Sequence, residues 1–324
     1  MSGERHYRPV HSASQQGARP EGRGWVEPVP EGEARSYYGR PVIKEPTWTW
    51  EVPWYLFAGG MAGASSLLSF AARAGGNEAL GRRALLVALG GATVSPVLLL
   101  MDLGRPARFY EMLRVFKPTS PMSLGTWILS AFGATTGAAV AGDLLGAFPR
   151  AARAARVASA VLGPALSTYT AVLISDTSVP VWHGARRELP FVFAASSVAS
   201  AGAAAAMLSP PGEAAPARRL AVGGAVVELA LTEVMKRRLG GLVAEPYEKE
   251  KAGRFGRIAS AATAAGAALL GLAGRRRRVA AVAGGALVLA GATLERWSVF
   301  EAGFQSARDP KYTVLPQRER LQNR

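Results

Sequence analysis

Glu51 and Tyr55 stand four residues apart in 48-WTWEVPWYLFAGGMAGASSLL-68, which places a carboxylate and a phenol on one face of one helix. An acid and a phenol at the same depth can hold carbonyl oxygens and pass protons, the chemistry that turning a quinone into a quinol requires. Three further groups interrupt the Ala/Leu background. Asp102 and Arg105 lie in 101-MDLGRPARFYEMLRVFKPTSPMSLGTW-127, and Tyr169 lies in 167-STYTAVLISDT-177, ahead of His183 in 179-VPVWHGARRELPF-191. Glu228 and Glu233 sit in an otherwise apolar run. Structural roles compete with chemical ones at each place. Trp48, Trp50, Trp54 and Tyr55 would also make an interfacial aromatic belt. Asp102 and Arg105 would make an ion pair closing a Gly-Pro turn, and Tyr169 a core tyrosine with a satisfied hydroxyl. Glu228 resists such a reading, because an ionisable group near mid-membrane is costly unless paired or watered. Glu233 is nearer a helix end and Lys236, where pairing or snorkelling suffices.

To position these groups the chain needs a membrane-embedded bundle. It has 324 residues, 49% of them hydrophobic, and its charges gather between apolar runs. Eight such runs approach the roughly 18 residues that cross a hydrocarbon core: 52–73, 82–103, 121–145, 154–175, 188–208, 218–237, 255–274 and 277–296. The spacing predicts an all-α integral membrane protein, eight helices up and down with short loops, in two four-helix bundles. Ser120 before Pro121 predicts a capped helix start with proline at its first position. Small residues in 59-GGMAGA-64, 88-ALGGA-92 and 133-GATTGAA-139 let helix backbones approach closely, and Gly59, Gly60 and Gly63 would lie behind the Glu51–Tyr55 face. The domains expected are a polar amino-terminal tail at 1–46, the membrane domain at 47–302 and a polar tail at 303–324. The first 46 residues have no apolar segment before a cleavage site, so the first span is expected to act as the insertion signal.

An even number of spans places both ends on one side, and all four groups of residues fall on that side. Lys and Arg close to the membrane are more numerous there, chiefly in 104–120 and 236–257. The positive-inside rule therefore points to a multi-pass protein of the cell (inner, cytoplasmic) membrane with cytoplasmic termini.

Composition also excludes. The net charge of +15 sits at the ends of apolar segments, where it meets lipid headgroups, so nucleic acid is not the expected partner. With no cysteine there is no disulfide, thiolate zinc site or cysteine-ligated iron–sulfur cluster. The three histidines, His6, His11 and His183, all lie outside the apolar runs, so the facing histidines of an intramembrane haem site are missing and no metal site is expected.

Taken together, W-T-W-E-V-P-W-Y-L-F-A-G-G-M-A-G, M-D-L-G-R-P-A-R-F-Y with F-K-P-T-S-P-M-S-L-G-T-W, and V-P-V-W-H with E-L-P-F resemble the polysulfide reductase membrane subunit (NrfD/PsrC) family. The resemblance covers the first five segments well and the last three loosely. It implies a membrane anchor without a redox metal that joins a four-cluster ferredoxin-like iron–sulfur subunit, and through it a molybdopterin catalytic subunit as in formate dehydrogenase or polysulfide reductase. It also implies exchange of electrons with a quinone, menaquinone by expectation. By motif position it implies a pocket at Glu51 and Tyr55 with Tyr169 opposite, Trp48, Trp50, Gly59, Asp102, Arg105 and His183 around it, and proton conduction at Glu228 and Glu233. Some relatives carry asparagine and histidine where Glu51 and Tyr55 align. Two other classes stay open: a secondary transporter, suggested by Glu228 and the many glycines although no inverted repeat is evident, and a purely structural anchor.

Overall fold

The computed structural model describes residues 41–146 and 148–322. The amino-terminal tail up to residue 40, with His6 and His11, lies outside the described residues. Among those described, secondary structure is helical throughout, with no strand. The helices are α1 (Glu51–Ala74), α2 (Glu78–Asp102), α3 (Glu111–Arg114), α4 (Pro121–Leu145), α5 (Pro149–Ser175), α6 (Pro180–Gly184), α7 (Leu189–Leu208), α8 (Ala215–Glu248), α9 (Glu250–Leu272), α10 (Arg278–Arg308) and α11 (Lys311–Gln322).

Local chemistry sets several ends. Ser120 caps α4 through its hydroxyl, which accepts from Ser123 N–H at 3.5 Å, and Pro121 holds the first helical position, as the sequence predicts. Asn77 caps α2 by accepting from Leu80 N–H at 3.0 Å. Gly146, at φ 63°, ends α4 in the left-handed region.

Helices α1, α2, α4, α5, α7, α9 and α10 are long and apolar enough to cross a membrane. The expectation of an eighth span rests on α8. It is a long helix packed against α7, α9 and α10, but Glu228, Glu233, Lys236 and Arg237 fall in its apolar stretch. It also breaks at Gly240, whose φ of 75° and ψ of 165° separate 215–239 from 241–248. The last apolar run extends further than its hydropathy suggests, since α10 continues to Arg308. Residues 303–322 are therefore the end of α10 and the whole of α11.

Within the amino-terminal half α1 packs on α2 and α5, and α4 on α5 and α2; within the carboxy-terminal half α7 packs on α8, and α10 on α9, α7 and α8. Contacts of α1 with α7 and α10 join the two sets. Small residues decide the closest seam. A methyl group on Gly63 would run into the Gly163 carbonyl, and one on Gly163 into the Gly63 carbonyl, so α1 and α5 meet backbone to backbone. Hydroxyls reinforce that seam: Ser167 donates to Gly60 O at 3.0 Å, and Ser66 donates to Gly63 O at 2.8 Å and Ser159 O at 3.0 Å.

The short helix α6 anchors its loop through Trp182, which is fully buried and donates its indole N–H to Val299 O at 2.7 Å. Trp48 stacks on it with ring centroids 5.6 Å apart, and Phe300 and Phe304 of α10 also pack against it at 6.4 and 6.1 Å. The segment leading into α1 is thereby tied to the carboxy-terminal helices.

Candidate functional site

Glu51 opens α1 and is 8% exposed; Tyr55, one turn on, is 3% exposed. Burial of the carboxylate follows from its neighbours. Thr49 donates its hydroxyl to Glu51 Oε2 and also to Asp102 Oδ1 at 3.0 Å, while Thr49 N–H donates to the same Asp102 oxygen at 3.2 Å. One threonine thus ties the start of α1 to the end of α2. The expected Asp102–Arg105 pair is absent among the described residues: Asp102 is taken up by Thr49, and Arg105 stands exposed ahead of a short 3₁₀ turn, Pro106–Arg108.

Tyr169 joins Tyr55 in one buried cluster with Val52, Leu56, Leu129, Phe132 and Leu166. The contacts of the α1–α5 seam, Gly60 with Ser167 and Ser66 with Ser159, run antiparallel. They bring Tyr169 level with the turn that follows Tyr55, an offset of roughly 3–5 Å along the axis. The Tyr169 ring lies against Gly125 of α4, where a methyl group would stand 2.7 Å from Cδ2. Glycine at position 125 therefore makes room for the ring. Gly59 is buried on α1, with Ser95 Oγ 3.5 Å from where a side chain would begin. Beside this cluster an apolar cavity of about 270 Å³ lies between α2, α3 and α4, lined among others by Leu99, Leu103, Phe109, Met112 and Leu129.

Other residues singled out from the sequence take different places. Trp50 and Trp54 point outward, 51% and 41% exposed, as a belt would, while Trp48 turns inward onto Trp182. His183 is exposed on α6, and it is its neighbour Trp182 that reaches the core. Glu233 is exposed and accepts from Arg237 Nε at 2.7 Å, so its partner is Arg237.

Glu228 belongs to a second group deep in the carboxy-terminal helices. It is 3% exposed and shares a cavity of about 20 Å³ with Tyr247 and Glu295, space for a single water. Arg296 donates to Glu295 Oε2 and to Phe193 O at 3.2 Å, and its guanidinium lies 3.7 Å over the Phe193 ring centre. Glu228 Oε2, Glu295 Oε1, Arg296 Nε and the Tyr247 hydroxyl are buried without a protein partner. Such groups are stable only with water or a shared proton among them. A side chain starting at Gly60 would come within 3.8 Å of Arg296 Nη2, so this group abuts α1 one to two turns beyond Tyr55.

Sequence reading misses Glu295 and Arg296 because they fall where the last apolar run ends, the usual place of interfacial charge. The available signal is the return of apolar residues after them, in 297-WSVFEAGF-304.

Fold and site define a multi-pass, all-helical membrane protein that gathers carboxylates and phenols inside its bundle while offering no metal-ligand cluster among the described residues. The polysulfide reductase family model (NrfD_2) matches residues 35–308, and the chain belongs to that family. Membership places it among membrane subunits of redox complexes. Comparison with curated proteins gives no match.

Proposed function

We propose that the chain is the quinone-interacting anchor of a respiratory oxidoreductase, exchanging electrons and protons between a partner iron–sulfur subunit and the menaquinone or quinone pool. The observation that carries this reading is the burial of Glu51 and Tyr55 one turn apart with Tyr169 beside them in one cluster. That surrounding suits a ligand with polar oxygens on an apolar ring. Tyr55 and Tyr169 would donate to the ring oxygens, Glu51 would hold or release the proton, and Trp48 and Gly59 would shape the wall. The apolar cavity between α2, α3 and α4 would take an isoprenoid tail, and Trp50, Asp102, Arg105 and His183 would stand around the mouth at the same end. A quinone bound there supplies two-electron, two-proton chemistry, which the side chains of this chain do not supply themselves.

Partner docking is proposed for the same end, with a four-cluster ferredoxin-like subunit against it and a molybdopterin subunit beyond. That end is proposed to be cytoplasmic, and eight spans, with α8 among them, are proposed to cross the inner membrane. Glu228, Glu295 and Arg296 are proposed to handle protons, because Glu228 and Glu295 line a water-sized cavity and Arg296, paired with Glu295, abuts α1 near the pocket.

Binding of a menaquinone analogue to the purified protein tests the pocket. Glu51→Gln and Tyr169→Phe are each expected to weaken binding about tenfold, the loss of one charge-assisted or buried hydrogen bond. Unchanged affinity in both variants removes the assignment.

A further inference from the structure

At the end of the bundle away from Glu51, three arginines converge on a cavity of about 280 Å³ formed by the end of α1, the start of α2 and the first turns of α5. Its lining includes Arg73, Arg153, Arg156, Glu78, Phe70 and Val157. Asp143, at the end of α4, is held between two of the guanidiniums: it accepts from Arg73 and, at 2.6 Å, from Arg156 Nη1. Arg73 Nη1 also lies 3.2 Å from Glu78 Oε2, on a side chain that is 62% exposed. Two carboxylates therefore face three guanidiniums, and the site keeps a positive excess. Arg153 forms no ion pair among the described residues and is exposed beside the cavity. Arg73 Nε is buried without a protein partner.

Arg73 Nε is packed beside Gly81 of α2, so the donor fork left free at the cavity is that of Arg153, and such a planar fork matches a pair of phosphate oxygens. The volume is several times the roughly 30 Å³ share of a water in liquid, so a group larger than solvent fits. Apolar surface leads away from the arginines. Leu67 and Phe70 are exposed on α1 and Val157 and Val161 on α5, at spacings that keep each pair on one helix face. Phe70 and Val157 both line the cavity, so the two faces begin at its rim and run toward mid-membrane.

We propose that this cavity binds the phosphate of an anionic membrane phospholipid, with Arg73, Arg153 and Arg156 on the headgroup and the acyl chains lying along Leu67, Phe70, Val157 and Val161. The pairing with Asp143 pre-orients two of the arginines, so the lipid would lock the ends of α1, α4 and α5 together on the face opposite the quinone pocket. The site is independent of the quinone assignment and stands or falls separately.

Native mass spectrometry of the full chain in detergent, titrated with phosphatidylglycerol, tests it. One saturable lipid per chain is expected, with about tenfold weaker binding in Arg153→Gln, whose side chain holds no ion pair that folding would miss. Arg73→Gln is expected to weaken binding further; if that variant fails to fold, Arg153→Gln carries the test alone. Phosphatidylcholine is expected to compete poorly. Equal lipid affinity in Arg153→Gln and wild type overturns the site. Displacement of the lipid by millimolar inorganic phosphate overturns the lipid as its occupant in favour of a soluble anion.

Discussion

Arg296 is the residue on which the interior of the carboxy-terminal helices turns. It is 1% exposed and faces Glu295 on its own helix, Phe193 on α7 and Gly60 on α1. Removing one partner of a buried pair leaves an uncompensated charge, at a cost of about 3–5 kcal/mol, whereas removing both partners is often near neutral. Arg296→Met is therefore expected to lower the unfolding free energy in detergent by about that amount. Arg296→Met combined with Glu295→Gln is expected to recover most of it. An Arg296→Met variant as stable as the parent would show that the pair is not desolvated. Glu51, Tyr55, Tyr169 and Glu228 were legible at this scale because each interrupts an apolar run. Glu295 and Arg296 were hidden because charge at the end of a run is ordinary.

At the scale of elements, two seams are open to test. Between α1 and α5 the backbones touch at Gly63 and Gly163, where neither helix can yield as a flexible side chain would. Gly163→Leu is expected to destabilise by at least the about 1–3 kcal/mol typical of overpacking, read as a lower unfolding midpoint. Gly133 and Gly137 on α4, read from the sequence as letting backbones close, instead face open space where no neighbour comes near, and are expected to accept Ala with little change. The second seam holds α11 to the end of α8. Glu245 accepts from Lys249 Nζ at 2.6 Å and lies 3.1 Å from Lys311 Nζ. Its carboxyl is pushed down to about 2, first by the Lys249 hydrogen bond and then by Lys311. A depressed carboxyl contributes stability above its ordinary value of 4.5 and loses it as pH falls toward about 2. Lys311 is held above its ordinary 10.5 chiefly by Glu245, so its contribution is intact below that value and lost only in strong base. Hydrogen-exchange protection of α11 is therefore expected to stay level between these two ordinary values and to fall as pH drops below the lower one. Protection unchanged at pH 3 would show that α11 is held by other contacts, such as the buried ring of Tyr312.

For the whole molecule, the question is whether α8 crosses the membrane. If it does, the loop before it and the junction after it face opposite sides. The absence of cysteine makes the chain a clean background for single-cysteine labelling. Gly212→Cys, where a side chain meets open space, and Glu248→Cys, on an exposed position, are expected to react with an impermeant maleimide from opposite sides of oriented vesicles. Labelling of both from one side would take α8 out of the membrane and reduce the spans to seven.

The sequence by itself determined the membrane class, the near positions of the spans and the family, since these rest on runs of apolar residues and contiguous motifs that need no partner to be recognised. It also named one wall of the proposed pocket, because Glu51 and Tyr55 share a helix and a fixed spacing. Only the tertiary structure decided that Asp102 answers to Thr49, that Trp182 turns inward while His183 turns out, that Glu295 shares a cavity with Glu228, and that three arginines line one cavity with Asp143 pairing two of them. Each of these depends on contacts between parts of the chain far apart in sequence. Which faces meet is set by where small residues let backbones close, as at Gly63 and Gly163, and a one-dimensional pattern does not carry that register.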